Sequence, residues 1–100
     1  MMNDKELLEL AAKAAGYSCG IRTTKIGIEK FYINGHVWNP LDDDGDALRL
    51  AVKLNLTVCS GPVYSYVVGC TQEKNNGDPY AATRRAIVLA AAGIGKWEGE

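Results

Sequence analysis

The spacing of apolar residues changes repeatedly along this chain, from a helical period to strand-like alternation and back. Leucine and alanine recur at helical spacing over residues 4–15, where Asn3 can cap the first turn and Gly16 can end the helix. A second stripe covers residues 47–54 and includes Leu48 and Val52. A third stripe covers residues 79–94, after an Asp-Pro start. These patterns predict three amphipathic helices.

The stretches between the helices favour β-strands. Asn34-Gly35 lies between two apolar segments and is typical of a tight hairpin turn, and a bulge or turn near Glu29 would reconcile the alternation on either side of it. Gly61-Pro62 supplies turn chemistry in the second stretch. The sequence therefore predicts two antiparallel hairpins, one between each pair of helices.

At 100 residues the chain has room for one domain and one hydrophobic core. The predicted fold class is α+β, with an α-β-β-α-β-β-α order and a mainly antiparallel sheet packed by three helices. Residues 72–78 are polar and predict a mobile loop without an apolar anchor. Residues 96–100 are expected to form a frayed tail.

The net charge of −1 and the absence of a long apolar run predict a cytosolic protein that neither spans a membrane nor binds extended duplex nucleic acid. Cys19, Cys59 and Cys70 are expected to be reduced, and Cys59 and Cys70 are expected to be buried. Cys59 is expected to lie opposite Val63 or Tyr64, which would place it out of register with Cys70.

The aspartates at positions 42, 43, 44 and 46 do not match a calcium loop, because its sixth position would be Ala47 and its twelfth Lys53. They are typical of a helix start, where carboxylates interact favourably with free amides. His36 is the only histidine and no Cys-x-x-Cys pair occurs, so we expect no metal site.

Catalytic motifs are also missing from the sequence. A nucleophile needs a base held by a third group, and His36 is the only histidine that could serve. Phosphate-binding and dinucleotide-binding motifs do not occur. We therefore expect no catalytic residues, no cofactor and no enzymatic activity.

Residues 37–54 read VWNPLDDDGDALRLAVKL, preceded by LLELAAKAAG at residues 7–16 and followed by ATRRAIV at residues 82–88. Over nearly the whole chain this layout resembles small uncharacterised proteins of tailed phages and prophages and the phage alpha-beta-alpha sandwich domain. The resemblance implies this element order, an acidic helix start after a Trp-containing strand, and a phage origin. It assigns no catalytic residue.

Two functional hypotheses follow. In the first, a phage accessory protein masks a host protein as a counter-defence or host-modulating factor, with aromatic anchors that include Trp97. In the second, an oligomeric sponge sequesters a small anionic nucleotide-like ligand between arginines and aromatic rings. A structural or regulatory phage protein without a ligand is a third alternative. Formation of a homo-oligomer would add to the small stability margin of such a short chain. The candidate ligand- or partner-binding residues are Trp38, Tyr64, Tyr66, Arg22, Arg84 and Arg85.

Overall fold

A computed structural model describes residues 3–17, 20–23, 29–33, 35–70 and 72–98. The described part has three helices and six strands, which confirms the predicted α+β class. The helices are α1 (Asp4–Ala14), α2 (Asp44–Lys53) and α3 (Pro79–Glu98). The strands are β1 (Gly20–Thr23), β2 (Glu29–Ile33), β3 (His36–Val37), β4 (Val58–Ser60), β5 (Tyr64–Val67) and β6 (Glu73–Lys74).

The strands form two three-stranded antiparallel sheets, with the orders β1-β2-β3 and β4-β5-β6. Both predicted hairpins are present, as β2-β3 and β4-β5, but each gains a third strand. In the described residues the hairpins do not join into the single sheet expected from the sequence. The alternation before Glu29, at residues 26 and 28, lies outside the described residues.

The segment at residues 72–78 contains a strand and a buried anchor, contrary to the unanchored loop expected from its polar composition. β6 pairs with β5, and the Asn75 side chain is buried. Its amide donates to the Gly61 carbonyl at 2.8 Å, and its oxygen accepts from the Ser65 hydroxyl at 2.8 Å. A buried amide whose hydrogen bonds are satisfied holds this segment to the sheet.

All three helices begin with a polar side chain that accepts from a free amide of the first turn. Asn3 accepts from the Glu6 amide at 2.9 Å, Asp43 from the Asp46 amide at 2.8 Å and Asp78 from the Ala81 amide at 3.0 Å. These caps were predictable because Asn and Asp are the preferred residues at helix starts. The φ of +74° at Gly16 also confirms the predicted end of α1.

The core is built around α3, which packs against α1, α2 and the second sheet. Small residues are frequent in the core that these helices share: Ala11, Ala12, Ala86 and Ala91 are all fully or almost fully buried. Short side chains allow two helices to approach closely. α1 and α3 approach closely at Gly95, where an added Cβ would collide with the Leu10 carbonyl.

α3 continues to Glu98, four residues beyond the predicted end. Lys96–Glu98 therefore belong to the helix and not to the expected tail, while residues 99 and 100 lie outside the described part. Arg85 lies near Asp4 and Gly95 lies against Leu10, so α1 and α3 run in the same direction. Among the described helices, none combines the length and the apolar character that a bilayer crossing requires.

Candidate functional site

A groove of about 510 Å³ separates α2 from the edge strand β4. Both elements rest on α3, which forms the floor of this α2–β4 groove. The residues that line it come from all three elements: Asp44, Ala47, Leu48 and Ala51 from α2, Val58 and Ser60 from β4, and Pro79, Tyr80, Thr83, Arg84 and Ile87 from α3.

Two large apolar side chains stand at the groove in contact with water. Leu48 is 64% exposed and Tyr80 is 68% exposed. The neighbouring Ala47 and Ala51 are buried and small, which leaves space between the two elements. The sequence had placed Leu48 and Val52 on the core-facing stripe of α2; this is wrong, because the helix buries Ala47, Leu50 and Ala51.

Arg84 fixes one end of the groove. Its Nε donates to the Leu41 carbonyl at 2.7 Å, and its Nη1 donates to the Asp44 carboxylate at 2.6 Å. Its side chain is only 17% exposed, whereas that of Asp44 is 65% exposed. This arginine therefore ties α3 to the start of α2.

A chain of hydroxyl groups joins α3 to the second sheet beside the groove. Thr83 Oγ1 lies 2.7 Å from the Pro79 carbonyl and 3.1 Å from both Ser60 Oγ and Ser65 Oγ. A threonine has a single hydroxyl proton, and the carbonyl can only accept. Because the shortest contact uses that proton, the Ser60 hydroxyl is the donor in the hydrogen bond with Thr83.

Acidic side chains at the start of α2 make hydrogen bonds and ion pairs with neighbouring residues of the protein. Besides capping by Asp43, Asp46 accepts from the Asn39 amide at 2.9 Å and from the Arg49 guanidinium at 2.7 Å. Among the described residues, no three His, Cys, Asp or Glu side chains are grouped so that they could hold a metal ion. His36 is exposed in β3.

The aromatic residues proposed from the sequence lie in different places. Trp38 is buried at 6% exposure and meets the Tyr17 ring edge-on, with centroids 5.9 Å apart. Tyr64 and Tyr66 alternate with the buried Ser65 in β5, so they share the outer face of the second sheet. Trp97 is 79% exposed near the end of α3.

The arginines proposed from the sequence are also separate. Arg85 is partly exposed, and its guanidinium lies 3.8 Å from Asp4 and 3.6 Å from Glu73. Glu73 pairs with the inward-facing Ser65, so Arg85 lies on the sheet face opposite to the two tyrosines. Arg22 lies in β1, and its side chain is outside the described part of the structure. The described candidates are not brought to one pocket.

Cys59 lies directly opposite Tyr66, not opposite Val63 or Tyr64 as the sequence had suggested. Hydrogen bonding to the Cys59 thiol, followed by its charge and by desolvation, raises the pKa of the Tyr66 hydroxyl. Cys59 and Cys70 are free thiols. Cys59 is half-buried and Cys70 is exposed, which corrects the expectation that both are buried. Cys19 lies outside the described residues.

Sequence reasoning missed the two exposed large apolar residues of the α2–β4 groove, Leu48 and Tyr80. Leu48 belongs to the wide apolar stripe of α2. Helical periodicity alone does not show which edge of such a stripe is exposed to solvent. Tyr80 follows the Asp-Pro start of α3 and has no periodic partner there. A large apolar residue in the first turn of an otherwise alanine-rich helix was the one available signal.

Comparisons with known proteins leave the chain without an assigned relative. No protein-family model matches it, and neither the curated proteins nor the solved structures contain a significant match.

Proposed function

We propose that this protein acts without catalysis, by binding a partner protein in the α2–β4 groove. The observation that carries the proposal is the pair of exposed side chains, Leu48 and Tyr80, beside a mainly apolar groove. Large apolar side chains that are exposed together beside a concave surface are typical of interaction sites. Burying them against a partner would contribute to the binding free energy in proportion to the apolar area removed from water.

The charged groups of the groove favour a protein over a small anion. Among the described residues that line the groove, Arg84 is the only cation, its side chain is only 17% exposed, and two of its donors serve Leu41 and Asp44. A nucleotide-like ligand needs charge-assisted donors that are free to reach its phosphates. The sponge hypothesis therefore has less support than the masking hypothesis.

The resemblance to tailed-phage proteins supplies the biological setting of the proposal. A host protein in the cytosol is the proposed partner, and its masking would serve counter-defence or another change in host physiology. Occupancy alone is sufficient for such an effect, because a standard interface needs only about 800 Å² from each partner.

The test compares Leu48→Glu with Val52→Glu in affinity capture from a bacterial host lysate. Both residues are exposed on α2, at 64% and 68%, but only Leu48 lines the groove. Because neither is buried, both variants are expected to fold, which circular dichroism and urea unfolding check. A partner that is captured by the wild type and by Val52→Glu, but is lost with Leu48→Glu, supports the proposal.

The captured partner is then purified and titrated against the wild type and both variants. We expect saturation at a fixed stoichiometry and a loss of affinity of about tenfold or more for Leu48→Glu alone. Equal affinities of the two variants would overturn the groove as the binding surface. Turnover of the partner by catalytic amounts of the wild-type protein would overturn action by occupancy.

A further inference from the structure

We infer that the partner segment enters the α2–β4 groove as an extended strand and adds to the free edge of β4, an inference that rests on the proposed function. β4 lies at the edge of its sheet, and in the part of the chain that the structure describes no strand pairs with its outer side. An unpaired edge offers backbone donors and acceptors to an incoming strand. The groove gives that strand a place to lie.

The hydrogen-bond pattern of the hairpin shows which backbone groups are free. The Gly61 amide donates to the Tyr64 carbonyl, and the Val68 amide donates to the Thr57 carbonyl, both at 2.9 Å. In an antiparallel pair, hydrogen-bonded positions alternate with positions that point away from the partner strand. Thr57, Cys59 and Gly61 therefore face β5.

It follows that the backbone N–H and C=O groups of Val58 and Ser60 point away from the sheet. These are the two β4 residues that line the groove. Their side chains face α3, because they lie opposite the buried Val67 and Ser65. Their backbone groups are thus left at the open side of the strand, where an added strand could pair with them.

The opposite wall of the groove suits alternate side chains of such a segment. Successive side chains of a strand point to opposite faces, so every second residue would enter the groove. Ala47 and Ala51 leave room there, while Leu48 and Tyr80 would cover the inserted side chains. Medium-sized apolar side chains, such as valine or isoleucine, would fit the space above the two alanines and below Leu48 and Tyr80.

The negative charge at one end of the groove favours a partner segment with a cationic residue at the corresponding end. Asp44 lines the groove and is largely exposed, and Asp42 and Asp43 are exposed beside it. Arg84 and Arg49 contact Asp44, Asp43 and Asp46, and Lys5 and Lys30 line a second pocket with Asp42, Asp43 and Asp46. Asp44 is the aspartate that lines the α2–β4 groove, and its side chain is 65% exposed, so a lysine at this end of the segment would find a carboxylate to pair with.

The first arm of the test uses synthetic peptides of about eight residues that alternate valine and threonine and carry lysine at either end. Two further sets are N-methylated at every second residue, in opposite phases. Methylation removes backbone donors. If the peptide adds to β4, one phase loses binding by about tenfold or more and the other phase retains it, because only one edge of the peptide faces β4.

The second arm changes the protein at Ser60. Ser60→Pro removes the outward N–H, and proline is tolerated at edge strands when its nitrogen faces away from the sheet. Ser60→Ala is the matched control, since both variants lose the contact with Thr83 Oγ1 but only the proline variant loses the N–H. We expect weaker binding with Ser60→Pro, by about tenfold, and near wild-type binding with Ser60→Ala.

Leu48→Glu separates this inference from the proposed function. Peptide binding that is lost with Leu48→Glu but is equally affected by both methylation phases overturns strand addition and leaves the groove as a docking surface. Binding that is indifferent to Leu48→Glu overturns both. Failure of every unmethylated peptide to bind below about 1 mM also overturns strand addition.

A second copy of this chain is the other occupant that the test must resolve. Analytical ultracentrifugation of the wild type and of Ser60→Pro measures self-association at the same edge. Self-association that the proline variant abolishes would identify the occupant as another copy and overturn the inference. Should Ser60→Pro fail to fold, the two methylation phases measured on the wild type still decide between the outcomes.

Discussion

Gly95 shows how a single residue sets the distance between two helices. It is buried in α3, and the Leu10 carbonyl of α1 occupies the space that any side chain would need. Backbone cannot move aside as a flexible side chain can, so a substitution there would push α1 away from α3. Sequence patterns could not reveal this requirement for glycine, because a close approach between helices is not visible in a single chain.

We predict that Gly95→Ala destabilises the protein by about 1–3 kcal/mol, through overpacking against α1. Urea unfolding followed by circular dichroism measures the change. Gly93→Ala is the control on the same helix, because Gly93 is exposed and an added Cβ there meets nothing within 4 Å. That variant should gain about 0.5–1 kcal/mol from helix propensity. Equal effects at the two positions would contradict the close packing.

The pair formed by Cys59 and Tyr66 also acts at the residue scale. Because the pKa of the folded Tyr66 hydroxyl is raised, the stability that its neutral form contributes is present below the ordinary tyrosine pKa. This contribution is lost as the pH rises through the raised value. The sequence could not show the effect, because it placed Cys59 opposite a different residue.

We predict that Cys59→Ala lowers the pKa of Tyr66 towards the ordinary tyrosine value, since it removes the largest cause of the shift. Ultraviolet absorbance of the phenolate measures the titration, and subtraction of the Tyr66→Phe curve isolates this tyrosine from the others. Cys70→Ala is the control, because Cys70 is also a free thiol but is not among the causes of the shift. An unchanged titration in Cys59→Ala would be contrary to this account.

At the scale of elements, the caps, helices and two hairpins could be predicted because each has a local cause in the sequence. Asn3, Asp43 and Asp78 cap their helices, and Gly35, with a φ of +82°, lies in the turn between β2 and β3. β6 has only two residues and depends on pairing with β5. Its position follows from a long-range contact that local patterns do not contain.

Asn75 is that long-range contact, and we predict that Asn75→Ala destabilises the protein by about 1–3 kcal/mol. The substitution removes the hydrogen bonds to Gly61 and Ser65 and leaves buried polar atoms without partners. Lys74→Ala, at an exposed position of the same segment, should remain within about 0.5 kcal/mol of the wild type. Thermal or urea unfolding compares them. A loss no larger for Asn75→Ala than for Lys74→Ala would show that β6 is not held by this amide.

Arg84 links two elements, and we predict that Arg84→Ala costs about 1–3 kcal/mol of stability. It would leave the Leu41 carbonyl and Asp44 without their donor. Arg85→Ala should cost about 0.5 kcal/mol or less, because its ion pairs are longer and partly exposed. Urea unfolding measures the free energy of unfolding of both variants. Comparable losses of stability would contradict the larger structural role of Arg84.

Adjacent arginines of a helix point about 100° apart, but their partners lie too far along the chain to be predicted.

At the scale of the whole molecule, the separation of the two sheets creates the α2–β4 groove. A single sheet, as the sequence suggested, would have used the free edges of the hairpins for pairing. Instead, β4 ends its sheet and α2 stands across from it on α3. The fold class could be predicted from the order of local elements. The groove could not, because it depends on which edges remain unpaired.

The central position of α3 has a consequence for how the protein is made. α1 precedes the described strands in the chain, yet the helix on which it packs follows them. When β6 has emerged, the exit tunnel still encloses the residues that will form the floor beneath α2 and the second sheet. The core can therefore form only after α3 has left the tunnel, and a message truncated before α3 would yield a chain without the helix on which α1, α2 and the second sheet pack.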